Sequence, residues 1–327
     1  MTGTLDEFIR KTDGRYYFLN DELLKVALSI LQVDSEPRRV ELIRRFMSPF
    51  AGIGDFRVHF DGAGDALLLL STFYDKSPHS SIVSVTKSPD SAKSLFEAFP
   101  GLERIYILPY PQNYIIHVLL RRLFKGMANC RGMGVTPVDP DYFREWENGL
   151  DISAKYGVIR HPRWVDMFMG QDSESANQVV IQPVGGISPL DSSSRKMIRN
   201  DELKEIIGLL NGHGIRPAII GVPEERPLYS IESLEYADHR GMVFAKQMIL
   251  IRNARLFIGA DSWGKTFAAL CEIPSIVFHS LRGEQRNGLP EVGDNVFLKP
   301  WPSISVVNEV DELRRQLIIR RILQPVL

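Results

Sequence analysis

Short runs of β-branched and aromatic residues, each closed by a small-residue or polar turn and followed by a stretch of helical periodicity, recur through most of this chain. In the first half the runs are Arg57 to Asp61 (RVHFD), Ser81 to Lys87 (SIVSVTK) and Arg104 to Leu108 (RIYIL). Between the last two, Ser88-Pro89-Asp90 opens a predicted helix through Ala92, Leu95, Phe96 and Phe99, which Pro100-Gly101 ends. A further helix is predicted around Tyr114 to Phe124. The alternation resumes with strands at Val179 to Val184, Pro217 to Val222, Leu256 to Gly259 and Ser275 to His279. Helices are predicted at Glu202 to Leu210, Val243 to Asn253, Gly264 to Cys271 and Val306 to Leu323. Strands that alternate with helices lead to a parallel, doubly wound α/β sheet, here twice over.

The 327 residues exceed what one hydrophobic core comfortably organises, so at least two domains are expected. Leu23, Leu24, Val26, Ala27, Ile30 and Leu31 recur with helical spacing, and Val40, Leu42, Ile43 and Phe46 repeat the pattern after Pro37. The first fifty residues therefore read as a helical extension. The polar run Gln171 to Gln178 reads as an interdomain linker. The expected organisation is an extension over 1–50, a first α/β domain over 51–170 and a second over 171–327.

A hydrophobic fraction of 44% with 39 basic against 40 acidic residues excludes a disordered chain, and the net charge of −1 gives no footprint for nucleic acid. No apolar run approaches the roughly 20 residues that span a bilayer, and no leader-like apolar segment follows Met1. A cytoplasmic protein is expected. Arg38-Arg39, Arg44-Arg45 and the Arg121, Arg122, Lys125 cluster give two helices basic faces, readable as solvated or as a peripheral contact with the inner face of a membrane. Cys130 and Cys271 stand too far apart for a zinc motif, and carboxylates and histidines show no metal-ligand spacing.

In doubly wound sheets, ligands bind beyond the carboxyl ends of the strands, so the post-strand turns carry the chemistry. The first is Asp61-Gly62-Ala63-Gly64-Asp65-Ala66. Leu67 stands where a dinucleotide fingerprint needs its third glycine, which disfavours NAD. Asp65 there either caps a helix or takes a proton from an acceptor hydroxyl. The second is Leu256 to Leu270, an apolar strand ending in Gly259-Ala260-Asp261-Ser262 before a small-residue helix. A helix start of this kind offers N–H groups to a pyrophosphate, with Gly264 for close approach, Lys265 for charge and Thr266 for a hydroxyl. Gly259 to Thr266 also satisfies G-x-x-x-x-G-K-[ST], but the one strand that follows ends in His279, without a Walker-B aspartate.

Gly64-Asp65-Ala66-Leu67, Gly259-Ala260-Asp261-Ser262, Ala268-Ala269-Leu270 and Pro274 together resemble the heptosyltransferase-like glycosyltransferases of family 9, which have the GT-B fold. Asp238-His239-Arg240-Gly241 is similar to that family's Asp-x-x-Gly lead-in, and Ile219 to Glu225 to its strand and acidic ribose-binding turn. The resemblance covers about Arg57 to His279. Trp263 stands at the family's usual glycine and Thr266 at its usual histidine, a departure that bears on the donor.

The resemblance implies two Rossmann-like domains facing a central cleft, and a metal-independent, inverting transfer from a nucleotide-diphosphate sugar to an acceptor hydroxyl. Asp65 is then the general base beside the glycine loop Gly62 and Gly64. Donor binding is expected from Asp261, Ser262, Gly264, Lys265, Thr266, Glu224 and Glu225, with Arg195 and Lys196 nearest the donor phosphates. The nucleotide sugar is a co-substrate, and no other cofactor is expected. The acceptor is a glycan, a lipid-linked molecule or another hydroxyl compound. Three other readings share these residues: a sugar-nucleotide epimerase, a P-loop nucleotide hydrolase and a non-catalytic nucleotide-sugar-binding subunit.

Overall fold

Every strand of the second half that the apolar runs mark out lies in one sheet, and every strand of the first half in another. The computed structural model describes residues 5–50, 56–60, 62–111, 116, 118–124, 161–170, 178–185, 197–260, 262–278, 304–307 and 310–323. The chain forms two compact units, Met1–Pro137 and Val138–Leu327.

The first unit opens with a short helix α1 (Leu5–Phe8) and a hairpin of β1 (Ile9–Asp13) and β2 (Tyr16–Leu19). These strands correct the reading of the first fifty residues as helices. The hairpin turns at Gly14-Arg15, where Gly14 takes φ +56°, a conformation glycine adopts without a Cβ penalty. Helices α2 (Asp21–Gln32) and α3 (Glu36–Met47) follow, then β3 (Phe56–Phe60), α4 (Ala63–Phe73), β4 (Ser81–Thr86), α5 (Pro89–Glu97) and β5 (Ile105–Pro109). The order across the sheet is β1-β2-β5-β4-β3; only β1 runs antiparallel to its neighbour.

Arg15 fastens the hairpin to the rest of the unit. Its guanidinium donates to the carbonyls of Phe96 (2.7 Å), Phe99 (2.7 Å) and Leu102 (2.8 Å), gathering three acceptors at and beyond the end of α5. Asn20 caps α2 by accepting from the Glu22 N–H at 3.0 Å. The buried face of α2 (Leu23, Leu24, Val26, Ala27 and Ile30) joins Val83, Val85 and Tyr106 of the sheet in one core. The first fifty residues thus share the first unit's core instead of forming an appendage.

In the second unit β6 (Val179–Gln182), α6 (Asn200–Asn211), β7 (Ala218–Ile219), β8 (Ala237–Asp238) and α7 (Phe244–Arg252) lead to β9 (Leu256–Ala260), α8 (Trp263–Leu270), β10 (Ser275–Phe278), β11 (Ile304–Val307) and α9 (Val310–Ile319). The predicted helix from Val306 is therefore preceded by a strand: Ile304–Val307 pairs with Ser275–Phe278, its register set by β10. The sheet is parallel throughout, in the order β11-β10-β9-β6-β7-β8. Counted within the unit that is 6-5-4-1-2-3, the doubly wound order, with its switch point between β6 and β9. Strands β6, β9 and β10 are buried along their whole length, as strands covered by helices on both faces must be.

A 3-10 turn at Arg163–Phe168 also packs here: Trp164 stacks on Phe267 of α8 (6.1 Å between centroids), and the Asn253 amide donates to the Phe168 carbonyl at 3.2 Å. Residues 161–170, expected in the first domain, thus pack on the second unit. The polar run read as the linker lies outside the described residues apart from Gln178.

Candidate functional site

The switch point of the second sheet is joined by one side chain. Gln182 ends β6, is 3% exposed, and accepts at Oε1 from the Ser262 hydroxyl (2.7 Å) and from the Gly264 N–H (3.1 Å). Ser262, the N-cap of α8, accepts in turn from the Lys265 N–H at 3.5 Å. The strand ends β6 and β9 are thereby tied to the start of α8 by a directional chain: Lys265 N–H to Ser262 oxygen, Ser262 hydroxyl to Gln182 oxygen.

Both glycines of the G-x-x-x-x-G-K-[ST] pattern have packing reasons. A Cβ on Gly264 would lie 2.2 Å from Gln182 Oε1 and 3.1 Å from the Phe257 ring. A Cβ on Gly259 would lie 2.7 Å from the same ring and 3.0 Å from the Gln182 carbonyl oxygen. The glycines let α8 close down on β9 and β6, which accounts for their spacing without a nucleotide-binding loop.

The expectation of open N–H groups at this helix start needs correction. Of the first three, those of Gly264 and Lys265 are taken by Gln182 and Ser262, since a buried N–H without an acceptor is costly. The Trp263 N–H makes no hydrogen bond among the described residues. The Lys265 and Thr266 side chains are buried, and the Trp263 ring lies 4.8 Å from that of Phe244 at the start of α7. Asp261, Arg195 and Lys196 lie outside the described residues.

The turn after β7 holds Glu224 and Glu225, and they face opposite ways. Glu224 is exposed; Glu225 is 3% exposed, packed so tightly over Gly221 that a Cβ there would lie 2.1 Å from its Oε2. Gly221 has φ +142°, a second reason for glycine. Burial pushes the Glu225 carboxyl up to about 8, against the opposing pull of the Val222 backbone hydrogen bond and the Arg240 charge. Its Oε2 and Arg240 Nη1 are both buried without a hydrogen-bond partner.

Beside it, Asp238 at the end of β8 binds Arg240 at 2.9 and 3.1 Å and Arg226 at 2.9 Å. Burial alone would raise the Asp238 carboxyl, but these hydrogen bonds outweigh it and hold it down at about 2. Gln247 of α7 closes the turn, accepting from the Gly221 N–H (3.0 Å) and donating to the carbonyls of Gly221 (3.2 Å) and Met242 (2.5 Å).

In the first unit Gly62 is the N-cap of α4, Gly64 and Asp65 lie in its first turn, and the Asp65 carboxylate folds back toward Gly62. The turn is held from beneath by His59 of β3, which is buried, with Nε2 2.9 Å from the Gly62 carbonyl and Nδ1 2.9 Å from the Ser84 hydroxyl. A carbonyl only accepts, so Nε2 carries the proton and fixes the ring's tautomer. His59 thus lies in the core and also supports the turn.

The candidate residues thus fall into a first-unit group at Gly62, Gly64 and Asp65 and a second-unit group at Ser262 to Thr266, with Glu224 and Glu225 on a neighbouring turn. Gln182 and Gln247 were not among the candidates. For Gln182 the available signal was a polar residue closing an otherwise apolar strand just before Pro183. Among the described residues no cluster of His, Cys, Asp and Glu is able to hold a metal ion, and no helix is long and apolar enough to cross a membrane.

No protein-family model matches the chain, and no curated protein does. Among solved structures it is similar to the E. coli ADP-heptose lps heptosyltransferase II (12% identity, 83% of this chain and 100% of that one, TM-score 0.48). It is similar also to a glycosyl transferase family 9 protein from Veillonella parvula DSM 2008 (12%, 81% and 90%, TM-score 0.44). A third is the UDP-GlcNAc 2-epimerase from Methanocaldococcus jannaschii (8%, 84% and 93%, TM-score 0.47).

Proposed function

We propose that this protein is a heptosyltransferase-like, metal-independent glycosyltransferase that moves a sugar from a nucleotide-diphosphate sugar to an acceptor hydroxyl with inversion. The observation that carries the reading is the start of α8 at the switch point of a doubly wound parallel sheet, where such sheets bind their ligands. The turn Ser262 to Thr266 forms the donor diphosphate site there, Ser262 and Gly264 shaping it through their bonds to Gln182, with Lys265 and Thr266 behind them and Asp261, Arg195 and Lys196 joining. The positive end of the helix and the Lys265 ammonium stabilise the charge of the leaving group. Of the acidic pair, exposed Glu224 reaches the nucleoside, while Glu225 shapes the turn from inside.

In the transfer, the acceptor oxygen forms its bond to the anomeric carbon as the bond from that carbon to the phosphate oxygen breaks. Asp65 takes the hydroxyl proton, and the nucleoside diphosphate leaves with the bonding pair. The acceptor is a glycan, a lipid-linked molecule or another hydroxyl compound. A lipid-linked acceptor would bring the basic helices to the inner face of a membrane.

Thermal unfolding against a panel of nucleoside diphosphates and nucleotide sugars tests the reading first. A ligand at 100 times its Kd stabilises by about 2.7 kcal/mol, a rise in Tm of roughly 5 to 10 °C. Asp65→Asn then keeps that shift while transfer falls by about 10²- to 10⁴-fold. A panel without any shift at millimolar concentration removes the donor site, and undiminished transfer by Asp65→Asn removes the base.

A further inference from the structure

A single carbonyl in the turn that carries Asp65 is held twice over. The Gly62 oxygen accepts from the Ala66 N–H at 3.1 Å, which starts α4, and from His59 Nε2 at 2.9 Å, so both of its lone pairs are used. The Asp65 carboxylate folds toward the same residue, its Oδ2 3.2 Å from where a Gly62 Cβ would stand. His59 is 1% exposed, and the other buried residues of β3 are Phe56, Val58 and Phe60. Both ring nitrogens are satisfied there: Nδ1 accepts from the hydroxyl of Ser84, its register partner on β4, at 2.9 Å. The Phe96 ring of α5 stands T-shaped to the imidazole at 5.8 Å. The sheet does not call for this polar pair, since replacing both partners of a buried hydrogen bond by apolar groups of like shape is nearly neutral. What an apolar pair would lack is a donor for Gly62.

From this geometry we infer that His59 is a positioning residue: its Nε2–H fixes the Gly62 carbonyl, and through it the first turn of α4 that aims the Asp65 carboxylate. The inference rests on the reading of Asp65 as the base and adds to it the group that holds the base. His59 acts through Gly62 and not on a substrate, because its buried ring is enclosed by Ser84, Phe96 and the turn itself. Ser84 sets the ring from its other side. Its hydroxyl gives a proton toward Nδ1, which leaves the one proton of the neutral ring at Nε2, where the carbonyl takes it. A carboxylate kept in one place before the acceptor arrives loses less in reaching the geometry of attack.

The test compares the whole protein with His59→Leu, which has no donor, and with His59→Gln, whose Nε2 donates from about the same place. The readout is the titration midpoint of Asp65, followed by carbon-13 resonances of labelled aspartate carboxyls and assigned by the resonance missing in Asp65→Asn. In His59→Leu the midpoint is expected to rise by about half a pH unit or more, as the carboxylate drifts from the helix start whose dipole favours its charge. In His59→Gln it returns to within about 0.2 of that in the unaltered protein. A merely structural role would lower Tm in both variants and leave the midpoint in place. A midpoint unmoved in His59→Leu, or moved equally in both variants, overturns the inference.

Donor turnover separates this inference from the reading it rests on. It is followed as nucleoside diphosphate released from UDP-glucose, ADP-glucose and GDP-mannose, with water as the acceptor. For a probe that is turned over, kcat is expected to fall about tenfold in His59→Leu, with KM within about twofold, and to recover in His59→Gln. Turnover that Asp65→Asn leaves undiminished removes the base, while a midpoint that moves in His59→Leu alone still upholds the positioning. Where no probe is turned over, the midpoint alone decides. Should His59→Leu lose its fold, the imidazole nitrogen-15 resonances of the unaltered protein decide. A ring protonated at Nε2 and bare at Nδ1 upholds the inference, and the opposite tautomer, which has no donor for Gly62, overturns it.

Discussion

Two turns open helices at the carboxyl ends of parallel strands, Gly62 to Asp65 after β3 and Ser262 to Lys265 after β9, and they are built in opposite ways. The second is closed by close approach: two glycines admit the Phe257 ring and Gln182, and the polar groups of the turn are bonded to a neighbouring strand. The first is less tightly closed: among the described residues a Cβ on Gly62 would meet Asp65 Oδ2 at 3.2 Å, and its support, His59, comes from the strand that feeds the turn. On the proposed reading the difference separates two tasks: the closely packed turn shapes the diphosphate site, and the carboxylate-bearing turn serves the acceptor.

Substitutions sharpen the contrast. Gly264→Ala has no room beside Gln182 Oε1, so it breaks the amide's hold on α8 and strains the Phe257 contact. A loss of about 3 kcal/mol is expected in urea unfolding. A loss below about 1 kcal/mol would show that α8 yields easily, and the rigid half of the comparison would fall.

Glu225 gives the next largest effect. Its carboxyl titrates near 8 in the folded chain against an ordinary value of 4.5, so the folded state holds a proton that the unfolded state has released. Its contribution is intact below pH 4.5 and is lost as pH rises through about 8. The unaltered protein should therefore lose on the order of 2 to 3 kcal/mol between pH 5 and pH 8.5 that Glu225→Gln does not lose, read as the difference between their Tm–pH curves. Asp238, held at about 2, adds no slope in that window; its contribution is lost only as pH falls below the ordinary carboxylate range. Parallel curves would mean that Glu225 is better paired than its surroundings indicate.

The smallest effect belongs to Gly62→Ala. The backbone there (φ −86°, ψ 150°) suits any residue, so stability should change by less than about 1 kcal/mol while the new methyl crowds Asp65 and lowers transfer. Unchanged transfer would argue against Asp65 as the base.

The parts of this arrangement legible in the sequence are those where burial on both faces leaves an apolar run. Val179 to Ile181, Ser81 to Val85 and Leu256 to Ile258 are strands because nothing else accommodates such residues between two layers of helices. The first hairpin did carry a signal, Asp13-Gly14 before Tyr16-Tyr17-Phe18-Leu19, but the stronger helical spacing from Leu23 onward overshadowed it. Ile304–Val307 is four residues beside a helix, and Ala237–Asp238 is two; each is made a strand by its neighbour and not by its own propensity. In the candidate site, Ser262 and Gly264 were visible as a cap and a close approach. Gln182 was not, because its role lies in a bond to residues eighty positions later in the chain.

The pairing of β2 with β5, Tyr16 against Ile105, sets a schedule for synthesis as well as a place in a sheet. Tyr16 to Leu19 leave the ribosome long before the strand they need, and Arg15 emerges long before the carbonyls of Phe96, Phe99 and Leu102. Until residue 109 has been made, this aromatic-rich strand has an open edge, and chaperones or a neighbouring nascent chain compete for it. Refolding of the first unit should accordingly wait on a late, long-range closure, and overexpression should favour aggregates seeded at the amino terminus over those seeded at the second sheet.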